Sequence, residues 1–322
     1  MRRAWEQRGP YDVLDVVAAE AAVLARRRQA FPGAALIARS HGLDHLFYRG
    51  LVEDHRAGLL HKPWWRRVWY PLARLRPAAR AMRQADAVIL LSERERAFVL
   101  EQGWQPAPRL AVIAHGIEPE RRDAAPAPDA RRGAGLLFAG AWYTSKGNRT
   151  LAQAHGLLAR QGLAMPLTLL GGGIGVPLPA IEARVRADFS PESQPWLTVL
   201  PRLRDEDAVF ALYRSHDALV CPSTAEGFGM VVLEAASQRL PAICSDAVGA
   251  GERLRHGDAA WIVPARDAPA LAEAMAGLWR DAGLRARLAA GAYQRAGEFS
   301  WRRAAEETIA CYRSALPPRS AV

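Results

Sequence analysis

The sequence has few cysteines and no long apolar run. Its three cysteines, Cys221, Cys244 and Cys311, lie far apart and lack the close spacing of metal ligands, so we expect buried free thiols. The longest uncharged stretch, residues 162–181, holds three prolines and five glycines, which excludes a transmembrane helix. The basic N-terminus is not followed by an apolar segment, so we expect a cytoplasmic protein without a secretory signal.

The composition is that of a globular protein with a basic surface. The chain has 322 residues, of which 50% are hydrophobic and 24% charged, and its net charge is +10. This length predicts two domains with substantial cores. The positive charge favours polyanionic partners, namely nucleotides, anionic lipids or nucleic acid, without choosing among them.

Short apolar runs alternate with helical patterns along the whole chain. This alternation predicts α/β architecture with parallel sheets, because strands buried on both faces are continuously apolar. The expected strands are residues 11–17, 34–40, 86–92 and 109–115 in the first half, and 135–140, 167–173, 197–203, 217–223 and 241–246 in the second.

A break in this alternation separates the two halves. Residues 119–135 are rich in proline, alanine and charge and show no periodicity, which predicts an interdomain linker. We therefore expect a first domain over residues 1–118 and a second over residues 136–300.

Two glutamates, Glu226 and Glu234, flank the apolar segment GFGMVVL in the second half. One interpretation is a capping box, Ser223-x-x-Glu226, at the start of a helix. That helix would contain Gly227 and Gly229, at a cost of about 1 kcal/mol each relative to alanine. The less costly interpretation places Glu226 in a loop and begins the helix near residues 228–230.

The second interpretation puts a helix N-terminus between two carboxylates. Free amides and the positive end of the helix dipole suit an anion, and glycine lets a ligand approach the backbone. Carboxylates accept hydrogen bonds from vicinal hydroxyls. A ligand with a polyhydroxyl group, phosphates and a ribose would satisfy all three features, and a nucleotide sugar has this shape.

The segment GFGMVVLEA between the glutamates resembles the signature of glycosyltransferase family 4, which comprises retaining sugar transferases. The resemblance runs from about Tyr11 to Leu316. It implies the GT-B fold, with two Rossmann-like domains whose parallel sheets face a cleft. Further segments resemble the family in the same order along the chain. In the acceptor domain they are ARSHGLDH, ADAVILLSERE and LAVIAHGIE, and in the donor domain they are LLFAGAWYTSKGNRTLAQA and LTVLPRLRDEDAVFALYRSHDALVCPSTAEGFG. The segment FSWRRAAEETIACYRSAL resembles a closing helix, over residues 301–316, that packs back toward the first domain.

The resemblance also implies roles for individual residues. Glu226 would contact the donor-sugar hydroxyls, Glu234 the ribose hydroxyls, and Lys146 the diphosphate. His41 would reach the donor sugar from the first domain, and Arg202 would lie near the base. The implied catalytic residues are Glu226, His41 and Lys146, and the implied donor site comprises Gly140, Lys146, Arg202, Glu226, Gly227, Phe228, Gly229, Met230 and Glu234.

No metal or cofactor is implied beyond the nucleoside-diphosphate sugar, which is the substrate. Neutralisation of the departing diphosphate by Lys146 and the helix amides would supply the principal catalytic effect. The segment GGGIG, residues 171–175, lacks the spacing of a dinucleotide fingerprint and is interpreted as a turn at a strand end.

The chain departs from the family in two places. Ala141 and Trp142 follow Gly140 where the family has an arginine, so one phosphate cation is missing or is replaced by nearby Arg149. The first domain is also short, with four expected strands, so it is either truncated or naturally reduced. An inactive or partner-dependent nucleotide-sugar-binding subunit is therefore an alternative to a working enzyme.

A basic aromatic segment, residues 55–85, contains Trp64, Trp65, Trp69 and Tyr70, seven arginines and Lys62, and no acidic residue. One interpretation is a peripheral patch that contacts anionic lipid and presents a lipid-linked acceptor. The other is a helix with its tryptophans in the core and its arginines outside. Nothing else in the chain resembles a nucleic-acid-binding module.

The resemblance to glycosyltransferase family 4 implies a hexosyltransferase-type glycosyltransferase. It would move a sugar from a nucleoside-diphosphate donor to a hydroxyl of a glycan or lipid-linked acceptor, with retention, in the synthesis of surface polysaccharide or glycolipid. A sugar-nucleotide epimerase or a phosphorylase of the same fold is a rival, although the phosphorylase needs a cofactor-binding lysine site that the sequence does not display.

Overall fold

The structure, a computed structural model, describes residues 9–61, 63–123, 133–173 and 175–316. The expected linker residues 124–132, as well as Lys62 and Ile174, lie outside the described residues. The chain divides into two compact units. Unit 1 comprises residues 1–48, 61–116 and 301–322, and unit 2 comprises residues 49–60 and 117–300.

Strands and helices alternate through both units. The strands are β1 (Val13–Val17), β2 (Ala35–Arg39), β3 (Ala87–Leu90), β4 (Leu110–Val112), β5 (Leu136–Ala141), β6 (Leu167–Gly172), β7 (Leu197–Pro201), β8 (Ala218–Cys221), β9 (Ala242–Ser245) and β10 (Ala260–Val263). The helices are α1 (Ala18–Arg26), α2 (Asp44–Arg56), α3 (Trp64–Tyr70), α4 (Arg76–Gln84), α5 (Glu93–Glu101), α6 (Pro119–Asp123), α7 (Asn148–Arg160), α8 (Leu178–Arg186), α9 (Glu206–Ser215), α10 (Met230–Ser237), α11 (Gly249–Leu254), α12 (Ala268–Arg280), α13 (Ala282–Ala296) and α14 (Trp301–Ala315).

Unit 1 is built on a parallel sheet with the described strand order β1-β2-β3-β4. Leu36, Ala38, Val88 and Leu90 form part of a core cluster on one face of this sheet. Ile37 and Ile89 belong to a second cluster, which also contains Cys311 of α14. Both faces of β2 and β3 are therefore covered, which explains why β3 is apolar throughout and β2 is apolar up to Arg39.

Unit 2 is built on a six-stranded parallel sheet of order β10-β9-β8-β5-β6-β7. Eight of the observed strands lie within the segments predicted from sequence, and β5 extends one residue beyond its segment, to Ala141. The predicted parallel α/β class is confirmed. β10 was not predicted. It is an edge strand whose four residues, AWIV, are all apolar, and two of them, Trp261 and Ile262, are half-buried.

The predicted linker begins with a helix rather than with irregular chain. α6 occupies Pro119–Asp123. Arg121 forms ion pairs with Glu206, at 2.7 Å, and with Asp207, and its guanidinium lies 5.1 Å from the ring centroid of Phe210. These partners lie on α9, so contacts distant in sequence order a segment whose composition alone predicts a loop.

The cysteine prediction is confirmed, because Cys221, Cys244 and Cys311 are all buried free thiols. Burial raises the pKa of Cys221 to about 11, so this thiol stays protonated near neutral pH. Across the described ranges, no helix combines the length and the apolarity that crossing a bilayer requires.

Candidate active site

The sheet of unit 2 changes direction at β5. The chain runs from β5 through β6 to β7 on one side, and β8 then returns to the other side of β5. The loops after β5 and β8 therefore leave the carboxyl edge of the sheet in opposite directions. Open α/β sheets bind ligands in the crevice at such a switch point. Lys146 follows β5 and Glu226 follows β8, so both residues lie on these two loops.

The loop after β5 places Lys146 at the end of a single 3₁₀ turn, Thr144–Lys146. Gly147 follows with a φ of +74°, and a Cβ at this position would lie 1.9 Å from the carbonyl oxygen of Pro222. Only glycine fits this contact, because the backbone of the β8 loop occupies the space of a side chain. The Ser-Lys-Gly sequence thus brings the two loops together.

The loop after β8 brings Glu226 to Lys146. The Lys146 Nζ lies 2.5 Å from Glu226 Oε2, and the Ser223 hydroxyl donates to the same oxygen at 3.1 Å. Helix α10 begins at Met230 with Gly229 as its N-cap. The loop interpretation of Glu226 is therefore confirmed, and the capping-box interpretation is wrong, because residues 223–226 precede the helix.

The start of α10 is shaped by close packing. Gly229 has a φ of +88°, and a Cβ there would lie 2.6 Å from a methyl group of Val248. Phe228 is buried, with its ring centroid 6.0 Å from that of Phe299. These contacts fix the entry into the helix, whose first-turn amides and positive dipole end form an anion-binding environment.

Glu234 lies one turn along α10 from Met230. The Tyr213 hydroxyl donates a hydrogen bond to Glu234 Oε2 at 2.8 Å. Burial raises the pKa of the Glu234 carboxyl, although the hydrogen bond from Tyr213 opposes the shift. Tyr213 is buried in α9. No local pattern indicates this partner, because 21 residues separate the two side chains in the chain.

The ends of β5 and β6 carry a pair of facing glycines. Gly140 is paired in register with Gly171, where an added Cβ would lie 2.8 Å from the Gly140 carbonyl oxygen. The edge of the sheet is thus free of side chains at this point, which permits close approach of a ligand. Arg202 follows β7 with an exposed side chain, and its proximity to a base stays a prediction.

Arg149, the residue that could replace the missing phosphate cation, is held by an acidic partner, and its role toward a phosphate stays a prediction. Its guanidinium forms an ion pair with Asp188 at 2.9 Å. Asp188 also accepts hydrogen bonds from the indole of Trp142, at 2.8 Å, and from Asn148, at 3.1 Å. Trp142 is buried in the core of unit 2. Asp188 thus anchors both Trp142, which follows Gly140, and the first turn of α7.

His41 lies in unit 1, exposed at the carboxyl end of β2. Its loop is held by the buried carboxylate of Glu95, which accepts a hydrogen bond from the Ser40 hydroxyl at 3.1 Å and one from the Leu43 amide at 2.9 Å. The spacing Ser92-x-x-Glu95 is that of a capping box and could have indicated Glu95. The role of His41 toward a donor sugar stays a prediction.

The basic aromatic segment exposes an apolar stripe. Trp65 and Trp69 are 49% and 57% exposed, and Val68 and Leu72 are also exposed. Trp65, Val68 and Trp69 have the spacing i, i+3, i+4, which places them on one face of α3. Leu72 lies in the π-helical segment Pro71–Leu75 that follows α3. The interpretation that buries the tryptophans is wrong for Trp65 and Trp69, whereas the side chain of Trp64 lies outside the described residues.

A metal-binding site is not evident among the described residues. Among those residues, no group of three or more histidine, cysteine, aspartate or glutamate side chains is arranged to hold a metal ion. The charges at the candidate site are instead those of Lys146, Glu226 and Glu234.

Two family models match the chain in succession. Residues 1–121 match the model described as Glycosyltransferase Family 4. Residues 133–281 match the model described as Glycosyl transferases group 1. The two matches follow each other along the sequence without overlap.

The chain is also similar in sequence to individual glycosyltransferases. The chain is 28% identical over 244 residues to D-inositol 3-phosphate glycosyltransferase of Corynebacterium urealyticum, covering 71% of this chain and 57% of that protein. It therefore spans little more than half the length of such relatives.

Solved structures agree on the fold. Sucrose-phosphate synthase from Thermosynechococcus elongatus superposes with a TM-score of 0.77 at 21% identity, covering 97% of this chain and 75% of that one. The Anabaena protein HepE, in complex with UDP, superposes with a TM-score of 0.75 at 18% identity, covering 97% and 80%. The fold of the chain is GT-B.

Proposed function

We propose that this protein, whose two units have the GT-B glycosyltransferase fold, is a retaining glycosyltransferase of family 4. It would transfer a sugar from a nucleoside-diphosphate donor to a hydroxyl acceptor. Because the chain spans 57% of the relative from Corynebacterium urealyticum, the activity, the substrates and the partners are all parts of this proposal.

The observation that supports it best is the Lys146–Glu226 ion pair at the switch between β5 and β8. A cation for the diphosphate and an acceptor for sugar hydroxyls lie 2.5 Å apart there. The N-terminus of α10 follows within four residues, and Glu234 lies one turn further along that helix. This order matches the order of sugar, diphosphate and ribose along a nucleotide sugar.

The proposed reaction needs charge stabilisation more than a nucleophile. The bond between the anomeric carbon and the diphosphate oxygen breaks, and the diphosphate leaves with the electron pair. Lys146 and the first-turn amides of α10 would stabilise this developing negative charge. The acceptor hydroxyl forms the new bond on the same face of the sugar and passes its proton to the departing diphosphate.

Glu226 would orient the sugar rather than attack it. Its Oε2 accepts from both Lys146 and Ser223, so one carboxylate oxygen is committed to the protein. The second oxygen can accept hydrogen bonds from the sugar hydroxyls. Orientation of the anomeric carbon toward the acceptor is a recognised source of rate enhancement.

The acceptor is proposed to lie at an anionic membrane surface, in surface polysaccharide or glycolipid synthesis. The supporting observation is the stripe formed by Trp65, Val68, Trp69 and Leu72 within a segment whose charged side chains are all basic. Exposed tryptophans beside arginines suit the interface of an anionic bilayer. The protein would then be cytoplasmic and peripheral to the membrane.

A second candidate is a nucleotide-sugar-binding subunit that is inactive or needs a partner. The four-stranded sheet of unit 1 favours it, because the described strand order β1-β2-β3-β4 contains no reversal. Open α/β sheets bind ligands where the strand order reverses, as it does in the sheet of unit 2.

Calorimetric titration with UDP, GDP and ADP, followed by the matching nucleoside-diphosphate glucoses, tests the proposal. UDP is the first nucleotide to try because HepE is described in complex with UDP. D-inositol 3-phosphate is included among the acceptors because the relatives are named for it. We expect selective binding with donor turnover. Binding without turnover would favour the second candidate, and no binding would overturn both.

A further inference from the structure

Arg266 holds an unusual backbone conformation for a side-chain-bearing residue. Its φ is +70°, in the left-handed region, and its side chain is only 18% exposed. The Arg266 Nε donates to Asp54 Oδ1 at 2.7 Å, and Nη2 donates to the Gly50 carbonyl oxygen at 2.9 Å. Nη1 lies 3.1 Å from Glu53 Oε2. Such strain persists where the surroundings over-determine the residue, and it concentrates near functional sites.

Asp54 is the buried centre of this cluster. Its side chain is 0% exposed, and both carboxylate oxygens are used. Oδ1 accepts from Arg266, and Oδ2 accepts from the Thr224 hydroxyl at 2.9 Å. Burial raises the pKa of Asp54, and the charge of Arg266 opposes that shift. A buried carboxylate is stable as an anion only while such partners remain.

The part of α2 that belongs to unit 2, residues 49–56, lies directly against the loop after β8. A Cβ on Gly50 would lie 2.9 Å from the Ala225 Cβ and 3.1 Å from the Thr224 carbonyl oxygen. Residues 49–60 and 117–300 belong to the same compact unit, so this contact lies within unit 2.

Thr224 connects the cluster to the candidate active site. The amides of Thr224 and Ala225 both donate to the Ser145 carbonyl oxygen, at 2.9 and 3.2 Å. The Thr224 hydroxyl also lies 3.3 Å from the Thr144 carbonyl oxygen. Ser145 directly precedes Lys146, and Thr224 lies two residues before Glu226. Thr224 is therefore bonded to Asp54 through its side chain and to the Lys146 loop through its backbone.

We propose that the Asp54–Arg266 pair, acting through Thr224, positions the Lys146–Glu226 pair for catalysis. This proposal deepens and rests on the proposed function, because it assigns a purpose to the geometry of that same site. Asp54, Arg266 and Thr224 touch neither sugar nor phosphate in this scheme, so they are positioning residues. The Tyr213–Glu234 hydrogen bond is outside the cluster, so the nucleoside end of the site is expected to be independent of it.

Three substitutions separate positioning from packing. Thr224→Val keeps the shape of the side chain and removes the hydroxyl. Thr224→Ser keeps the hydroxyl and removes a methyl group. Asp54→Asn keeps the shape and removes the charge. Donor turnover is measured as kcat and KM, nucleoside monophosphate binding as Kd, and folding as Tm.

We expect Thr224→Val and Asp54→Asn to lower kcat at least tenfold and to change the Kd for UMP less than threefold. Thr224→Ser should retain at least half of the wild-type kcat. The double variant Asp54→Asn/Thr224→Val should be no slower than the slower single variant, because both changes interrupt the same connection.

A second readout does not depend on turnover. The chain has two lysines, Lys62 and Lys146, so reductive methylation with ¹³C-formaldehyde yields two side-chain NMR signals besides the terminal amine. Lys62→Arg assigns them. We expect Thr224→Val and Asp54→Asn to move the Lys146 signal toward its position in Glu226→Gln and to leave the Lys62 signal in place.

The two readouts distinguish the ways in which the ideas can fail. If the wild-type protein binds no nucleotide sugar, the proposed function fails, and the Lys146 signal alone decides whether the cluster positions the pair. If Thr224→Val and Asp54→Asn lower Tm but leave both kcat and the Lys146 signal unchanged, the cluster is merely structural and the inference is overturned. Equal losses in Thr224→Val and Thr224→Ser would overturn it as well.

Discussion

The Lys146 ammonium and the Glu226 carboxylate lie 2.5 Å apart although 80 residues separate them in the chain. The contact depends on Gly147, whose backbone meets that of Pro222 where a side chain would clash. Two loops from adjacent strands thus bring a cation and an acceptor together at the switch point of the sheet.

Substitution of Lys146 should separate diphosphate recognition from nucleoside recognition. We expect Lys146→Ala to weaken the binding of UDP by about 1.5–3 kcal/mol, the range for a hydrogen bond to a charged group. The affinity for uridine should stay nearly unchanged. Lys62→Ala is the matched control for loss of a lysine. Titration calorimetry measures both, and equal losses for UDP and uridine would contradict a phosphate role.

Glu234 and Tyr213 should act together on the ribose. We expect Glu234→Ala to weaken the binding of UDP by about 1.5–3 kcal/mol. Tyr213→Phe should weaken it by about 0.5–1.5 kcal/mol, because this change removes only a neutral hydrogen-bond donor. Both losses should shrink for an analogue that lacks the ribose hydroxyls. Unchanged UDP affinity in Glu234→Ala would remove this residue from the site.

The raised pKa of Glu234 predicts a pH dependence of stability. The folded protein holds a proton on this carboxyl more tightly than the unfolded chain does, so its contribution is fully present below the ordinary pKa of 4.5 and is lost as pH rises through the folded value. Glu234→Gln removes this titration. Denaturant unfolding of both proteins between pH 4 and about pH 8 should show the variant gaining stability relative to wild type as pH rises; a constant difference would contradict the prediction.

Two glycines with the same backbone conformation should respond differently to alanine. Gly147 and Gly162 have φ values of +74° and +72°, but a Cβ on Gly162 meets nothing within 4 Å. Gly162→Ala should therefore cost only the left-handed strain, about 1–2 kcal/mol. Gly147→Ala should cost at least about 2 kcal/mol more because of overpacking, and should also lose UDP binding. Equal free energies of unfolding for Gly147→Ala and Gly162→Ala would refute the close contact of Gly147 with Pro222.

The exposed apolar stripe of the basic aromatic segment predicts binding to anionic vesicles. The double substitution Trp65→Ser/Trp69→Ser should abolish salt-sensitive sedimentation with phosphatidylglycerol vesicles, because it removes the interfacial aromatic groups. Trp196→Ser is the control, since Trp196 is 42% exposed and lies outside the segment. If the wild-type protein does not sediment with these vesicles at low salt, the proposed membrane contact is excluded.

Local patterns predicted the features that depend on neighbours in the chain. The apolar runs that mark β1 to β9 were found from sequence within a few residues, and they are most continuous in β3 and β8, where every residue is buried. The start of α10 at Met230 followed from the cost of Gly227 and Gly229 inside a helix. The partners of Arg149 and Tyr213 were not predicted, because hydrogen bonds between distant segments leave no periodic signal.

The parallel α/β class, the order of the motifs and the two glutamates on either side of a helix start could all be predicted from the sequence. These features follow from strand burial and from the spacing of glycines and carboxylates over a few residues. Three contacts could not be predicted and depend on the folded chain: Lys146 with Glu226, Arg149 with Asp188, and Asp54 with Arg266 across 212 residues of chain. The physical reason is that such pairs form where packed loops converge, and the loops converge only once the sheet of unit 2 has been assembled.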